Sequence, residues 1–302
     1  MEKTSKSLPR RRRLFGTALT AGAVALTAMS ASPAGAAASS ARTLDYVALG
    51  DSYASAPGVP TQVDAACGRS SSNYPSLVAT SRGARLTDVS CSGATTADLA
   101  TGQDGGAPQL DALDADTDLV TVSIGGNDLG FTTVLGTCAQ LAPTDPTGAP
   151  CRTHFTGDGT DELQKAVDAT GPKVSRVLKE VRERAPRAKV VVVGYPSLFP
   201  DSGTGCTSAS VPFAVGDFAY LRDTNKALNA MLKQRAKRGG ASYADTYTPT
   251  IGHDMCAPVG ERWIESLAPQ TPAAPAHPNA QGESAMAGSV QRVLSACGLT
   301  RR

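Results

Sequence analysis

The sequence predicts an α/β fold: a three-layer α/β/α sandwich around a central, mostly parallel five-stranded sheet. Three observations point there. Short, nearly all-apolar runs recur along the chain, as they do in strands buried on both faces. Longer amphipathic stretches separate them, with apolar residues at helical spacing. The two kinds alternate, and such alternation is the pattern of a parallel sheet covered on both sides by helices.

Taken in order, the chain opens with a basic segment "KSLPRRRRLFG", an apolar run "TALTAGAVALTAM" and the small residues Ala34-Gly35-Ala36. That succession is an export signal, giving residues 1–36 as a leader and 37–302 as a single domain. The run from Thr17 to Met29 is shorter than the roughly 17 to 25 residues of a membrane span, so no integral membrane association is expected after cleavage. Arg12-Arg13-Leu14-Phe15 fits a twin-arginine signal as well as the heavy n-region of a Sec signal, and both routes stay open. Strands follow at "LDYVALG" from Leu44, "ARLTDVS" from Ala84, "DLVTVSIGG" from Asp118, "AKVVVVGYP" from Ala188 and, more weakly, "ASYADTY" from Ala241. The clearest helices start near Asp161 and Phe218, the second ending at Gly239. A last helix begins at His277-Pro278-Asn279, with Pro278 in its first turn, and runs to about Ala296. The segments "LAPTDPTGAPC" and "PSLFPDSGTGCTSAS" read as loops.

The chain has 302 residues, 41% of them hydrophobic and 19% charged, with a net charge of +2. A run of four arginines lies in the leader, so the remainder has no basic excess and nucleic acid is excluded as a partner. All seven cysteines follow the leader, which reads as disulfide chemistry in an oxidising compartment. Pairing neighbours gives Cys67–Cys91, Cys138–Cys151 and Cys206–Cys256, with Cys297 left over, although spacing does not fix connectivity. No Cys-x-x-Cys occurs and the three histidines are scattered, so no structural zinc site is expected.

Ligands of such sheets bind beyond the carboxyl ends of the strands. Strand one ends in Gly50-Asp51-Ser52-Tyr53, strand two in Ser90-Cys91-Ser92-Gly93-Ala94 and strand three in Gly125-Gly126-Asn127-Asp128. Together they offer a hydroxyl, backbone N–H groups and a side-chain amide, which are the parts needed for acyl transfer apart from a base. Of the histidines, His154 and His253 read as surface or structural residues, whereas His277 opens the final helix, where it can return to the first strand. Taken singly, each feature has a plainer reading: Ser52 as a helix cap, Gly93 and Gly125-Gly126 as turn glycines, Asn127 as a turn residue. Neither Gly-x-Gly-x-x-Gly at the first turn nor Gly-Lys-Ser occurs, which argues against a nucleotide site. The Gly-x-Ser-x-Gly elbow of ordinary α/β-hydrolases is also missing, because Ala54 stands at its last position.

With these blocks in view, "ALGDSYASAPG", "SCSGATTADL", "SIGGNDLGF" and "AHPNAQGESAMA", the chain resembles the SGNH hydrolases, or GDSL esterases and lipases, in their secreted actinobacterial branch. The resemblance implies the SGNH (flavodoxin-like) hydrolase fold and a secreted, monomeric serine hydrolase of lipid or other carboxylic esters. It implies Ser52 as nucleophile, His277 as base and an oxyanion hole from Ser52, Gly93 and Asn127, with no cofactor and no metal. One position departs from the family. Three residues before His277, where the pattern has aspartate, stands Ala274. The expected orienting group is therefore a backbone carbonyl, that of Ala274 or a near neighbour, with Asp254 and Glu265 as the rival carboxylates. Asp51 and Asp128 are expected to order their turns. Trp263 either lines the acyl pocket or packs the loop before His277. Phospholipase, polysaccharide acetyl esterase, acyltransferase and a non-catalytic binding module remain the alternatives.

Overall fold

The computed structural model describes residues 42–298 and Ala18, so the expected leader, Ala18 apart, lies outside the described residues. Five parallel strands form the central sheet: β1 (Asp45–Gly50), β4 (Arg85–Asp88), β5 (Leu119–Ser123), β6 (Lys189–Val193) and β7 (Ser242–Ala244), in the order β4-β1-β5-β6-β7. The apolar runs are explained by position. β1, β5 and β6 lie inside the sheet with helices over both faces, and nearly every residue of the three is buried. Edge strand β4, by contrast, alternates between exposed and half-buried residues.

Among the described residues eight α-helices accompany the sheet: α1 (Ser52–Ser55), α2 (Tyr74–Arg82), α3 (Asp98–Thr101), α4 (Phe131–Leu141), α5 (Pro150–Thr156), α6 (Glu162–Arg184), α7 (Asp217–Arg238) and α8 (Ala280–Ala296). α6 packs on α7 and α2 on α8, completing the outer layers. Local chemistry sets the ends. Asn73 caps α2 through Ser76 N at 3.0 Å, and α2 stops at Gly83 in the left-handed conformation. Asp161 caps α6 in the same way through Gln164 N. The last helix starts later than its proline suggested. Asn279 is the cap, accepting from the N–H groups of Gln281 and Gly282, while Pro278 pairs with Ile264 in an isolated bridge ahead of the helix.

Besides α2 and α3, which sequence patterning did not name, it missed three further pieces: the short hairpin of β2 (Gln62–Asp64) and β3 (Arg69–Ser70), and the helices α4 and α5 that flank the segment read as a loop. All three are tied down by cysteine bridges. Cys67–Cys91 joins the hairpin to the segment after β4, Cys138–Cys151 joins α4 to α5, and Cys206–Cys256 joins two long loops at the carboxyl end of the sheet. Cys297 is free and exposed. Beneath those loops Phe199, Phe213 and Phe218 form a buried trio with edge-to-face rings, an arrangement that fixes irregular backbone without regular secondary structure.

Candidate active site

Parallel register brings three strand tips together. Cys91 N donates to Gly50 O at 3.0 Å and Asp51 N to Ser123 O at 2.9 Å, so the segments after β1, β4 and β5 leave the sheet side by side. Glycine is required at position 50: a Cβ there would lie 2.6 Å from Ser123 O and 2.8 Å from the Ala54 Cβ. Asp51, not Ser52, caps α1, taking Tyr53 N at 3.0 Å. Ser52 is thereby released from the capping duty its position suggested, and its Oγ lies 2.7 Å from His277 Nε2.

The imidazole is held from its other side by main chain. Its Nδ1 lies 2.7 Å from the carbonyl oxygen of Pro275. With Nδ1 carrying the proton toward that oxygen, Nε2 is left as the acceptor facing Ser52. This corrects the expectation for Ala274, whose carbonyl is occupied by His277 N at 3.2 Å. Ala276 adopts the left-handed conformation at φ 59°, a backbone reversal between the two carbonyls and the ring. Neither rival carboxylate bonds the ring. Asp254 accepts from Cys256 N, and Glu265 accepts from Gln270 N, Thr271 Oγ1 and Asn279 Nδ2 while pairing with buried Arg262 at 3.2 Å. Burial works to raise the Glu265 pKa, yet these bonds and Arg262 hold it below the ordinary value. Glu265 therefore staples the loop that carries His277. Burial lowers the pKa of His277 itself, opposed by the Pro275 bond, and so favours the neutral ring.

Two tyrosines that sequence reasoning did not single out connect these parts. Tyr53 stacks on the His277 ring, centroids 4.9 Å apart, and its hydroxyl donates to Ala276 O at 2.6 Å. Tyr195, just past β6, accepts from Gly126 N at 2.8 Å and donates to the Asp51 carboxylate. Burial pushes the Asp51 carboxyl up to about 7, against the bonds from Tyr195 and Tyr53 N. The only sequence signal for either tyrosine was its place at a strand end.

The other expected residues surround the serine. Gly93, at φ 84°, follows Ser92, which is fixed by Ser92 N to Cys67 O at 2.9 Å and by Gln103 Nε2 to Ser92 O at 2.8 Å. The Asn127 amide donates to Ala94 O at 2.9 Å and keeps a second N–H. Asp128 sews this turn to its neighbour through Thr96 N, Thr96 Oγ1 and Lys173. The remaining histidines stand apart. His154 is exposed at the end of α5, and His253 binds Glu261 O through Nδ1 and stacks at 3.6 Å on Trp263. Trp263 thus packs the loop rather than lining a pocket.

Ser52, Asn127 and His277 all border one cavity of about 440 Å³, within the range of small-molecule sites. Its walls are Phe131 and Leu135 of α4, Leu198, Leu228 of α7 and Leu267. A neutral imidazole on a serine hydroxyl, free N–H groups nearby and an apolar chamber are the provisions for attack on an ester carbonyl next to a hydrocarbon chain.

Known proteins resemble this chain in sequence and in fold. The chain is 41% identical over 292 residues to Lipase 2 of Streptomyces coelicolor, an alignment spanning 94% of this chain and 97% of the relative. An extracellular lipase from Streptomyces rimosus superposes with a TM-score of 0.69 at 30% identity, over 83% of this chain and 99% of that one. Phospholipase A1 from Streptomyces albidoflavus gives 0.68 at 30% identity, over 84% and 99%. Residues 48–285 match the GDSL-like lipase/acylhydrolase family, so the chain belongs to that family and is a carboxylic ester hydrolase.

Proposed function

We propose that this chain is a secreted, monomeric serine esterase that cleaves carboxylic esters of lipids through an acyl-enzyme on Ser52, with His277 as base. The observation that carries the reading is the 2.7 Å contact between Ser52 Oγ and His277 Nε2 beside an apolar cavity. His277 takes the hydroxyl proton as Ser52 Oγ attacks the ester carbonyl. The oxyanion forms against the backbone N–H groups of Ser52 and Gly93 and the Asn127 amide. His277 then passes its proton to the leaving alcohol. Water, activated by the same nitrogen, attacks the acyl-enzyme, releasing the acid and restoring the serine. Pro275 O accepts the hydrogen bond from Nδ1–H throughout, the role that the family pattern gives to a carboxylate. No metal or organic cofactor enters these steps. Tyr53 ties the base to the nucleophile, since it neighbours Ser52 and binds the residue before His277.

Residues 1–36 are read as an export signal and residues 37–302 as one catalytic domain. The likeness to an extracellular lipase supports secretion. Lipid esters are preferred over acetylated polysaccharide because the cavity wall is hydrocarbon. A phospholipid substrate is the second reading, favoured by the 30% identity to a phospholipase A1. The test is hydrolysis of chromogenic esters from acetyl to palmitoyl, alongside triacylglycerol and phosphatidylcholine, by the wild type and by folded Ser52→Ala. Activity lost in the variant, with an optimum beyond acetyl, supports the reading. Turnover retained by Ser52→Ala would overturn it.

A further inference from the structure

The inner wall of the cavity beside Ser52 and His277 is mostly carbon; of its buried polar side chains, Asp51 and Tyr195 are bonded to each other, and Asn225 remains. Asn225 stands one turn before Leu228 on α7 and is only 2% exposed. Its Oδ1 accepts from Leu198 N at 3.3 Å, which fixes the direction the amide faces. The amide nitrogen makes no hydrogen bond with any described residue, yet it is not among the polar atoms sealed inside packed side chains. The little surface Asn225 retains therefore opens on the cavity it lines. Leu135, Leu198 and Leu228 are likewise buried, whereas Thr132 and Gly136 are exposed, which sets Asn225 at the inner wall rather than at the rim. The neighbouring Tyr195 hydroxyl is already engaged by Gly126 and Asp51.

An amide N–H₂ in an apolar chamber is costly unless a ligand answers it. An unbroken alkyl chain would displace water from that donor and leave it unpaired. A chain with a ketone or hydroxyl at the matching carbon would satisfy it. We propose that Asn225 is a specificity-determining residue that reads an acceptor oxygen on the acyl chain, so that the preferred substrates are esters of oxo- or hydroxy-acyl acids. The proposal rests on the reading of Ser52 as nucleophile and of this cavity as the acyl site. Its energetic basis is asymmetric: a site built to donate a hydrogen bond discriminates strongly against an analogue that lacks the acceptor, whereas an all-carbon pocket disfavours the added oxygen.

The experiment compares kcat/KM for the nitrophenyl ester of octanoic acid with those of its oxo analogues, the ketone moved from the fifth carbon to the seventh. The wild type is expected to favour at least one oxo ester by about tenfold or more. Asn225→Leu, close in volume and without the donor, should reverse the order. Loss of the Leu198 bond in that variant affects every substrate alike and cancels in the ratio. A wild type that prefers octanoate to every oxo ester, or a ratio unchanged in Asn225→Leu, would overturn the proposal. If Asn225→Leu does not fold, the wild-type series decides alone. Ser52→Ala is assayed in parallel. Should it stay active, the underlying reading fails, and should it be inert while the wild type prefers plain alkyl chains, only this inference fails.

Discussion

Removing the Tyr53 hydroxyl isolates the tie between nucleophile and base. Tyr53→Phe keeps the ring that stacks on His277 and deletes only the 2.6 Å bond to Ala276 O. That bond spans 223 positions and joins the residue after Ser52 to the residue before His277. Other bonds hold the histidine loop, Ala274 N to Pro57 O at 2.8 Å and Glu265 N to His277 O at 2.9 Å, but neither reaches the turn that carries Ser52. A buried carbonyl left without its donor costs about 1–3 kcal/mol. If about half of that is felt as misplacement of the imidazole in the transition state, kcat falls by roughly twofold to tenfold while KM is unchanged. The melting temperature should fall by about 3–8 °C. Stopped assays of kcat and KM across pH, with calorimetry on the same samples, measure both. The acid limb should not move in Tyr53→Phe, because the ring that buries the imidazole is retained. Tyr53→Leu opens His277 to water, so its lowered pKa rises toward the ordinary value and the acid limb shifts to higher pH. The titratable groups on that side are Tyr53 itself and, behind it, Tyr195 and Asp51. A folded Tyr53→Phe enzyme with wild-type kcat would refute the reasoning.

Asn127→Ala should lower kcat about a hundredfold to a thousandfold with a near-native melting curve, since it removes one oxyanion donor; circular dichroism and initial rates check this. Glu265→Gln strands buried Arg262 and weakens the histidine loop, which should destabilise the fold by about 3–5 kcal/mol in denaturant titrations. At temperatures where that variant is folded its acid limb should match the wild type, and abolished turnover would restore Glu265 as a carboxylate partner of His277. Reduction of the disulfides should lower unfolding free energy by about 3–4 kcal/mol per bridge, the loops spanning 24, 13 and 50 residues. Thermal melts with and without a thiol reductant report it, and an unchanged midpoint would show that the bridges are not structural.

Much of the site was legible because it hangs on strands. A buried parallel strand must be apolar throughout, so "YVALG" and "VTVSIGG" announce their ends, and their ends must deliver what the sheet cannot contain. Ser52 and Asn127 were found that way, and Gly93 at the tip of the less apolar edge strand β4. His277 was found by the scarcity of histidines and its place at the head of the last helix. The helices α4 and α5 were missed for the complementary reason. Each is too short to show a clear helical period beside the Pro- and Gly-rich stretch that joins them, and the bridge between Cys138 and Cys151 ties them together.

By itself, then, the sequence determined the sheet, the strand tips and the candidate base, since all of these follow from local periodicity and residue type. Only the tertiary structure decided that Asp51 rather than Ser52 caps α1, that Pro275 rather than Ala274 meets the imidazole, and that Asn225 faces the cavity. Each of those depends on which of several nearby polar groups is left free after distant segments have taken the others. Tyr53 reaching Ala276 and Leu198 reaching Asn225 are long-range hydrogen bonds, and no local pattern encodes which of them is made.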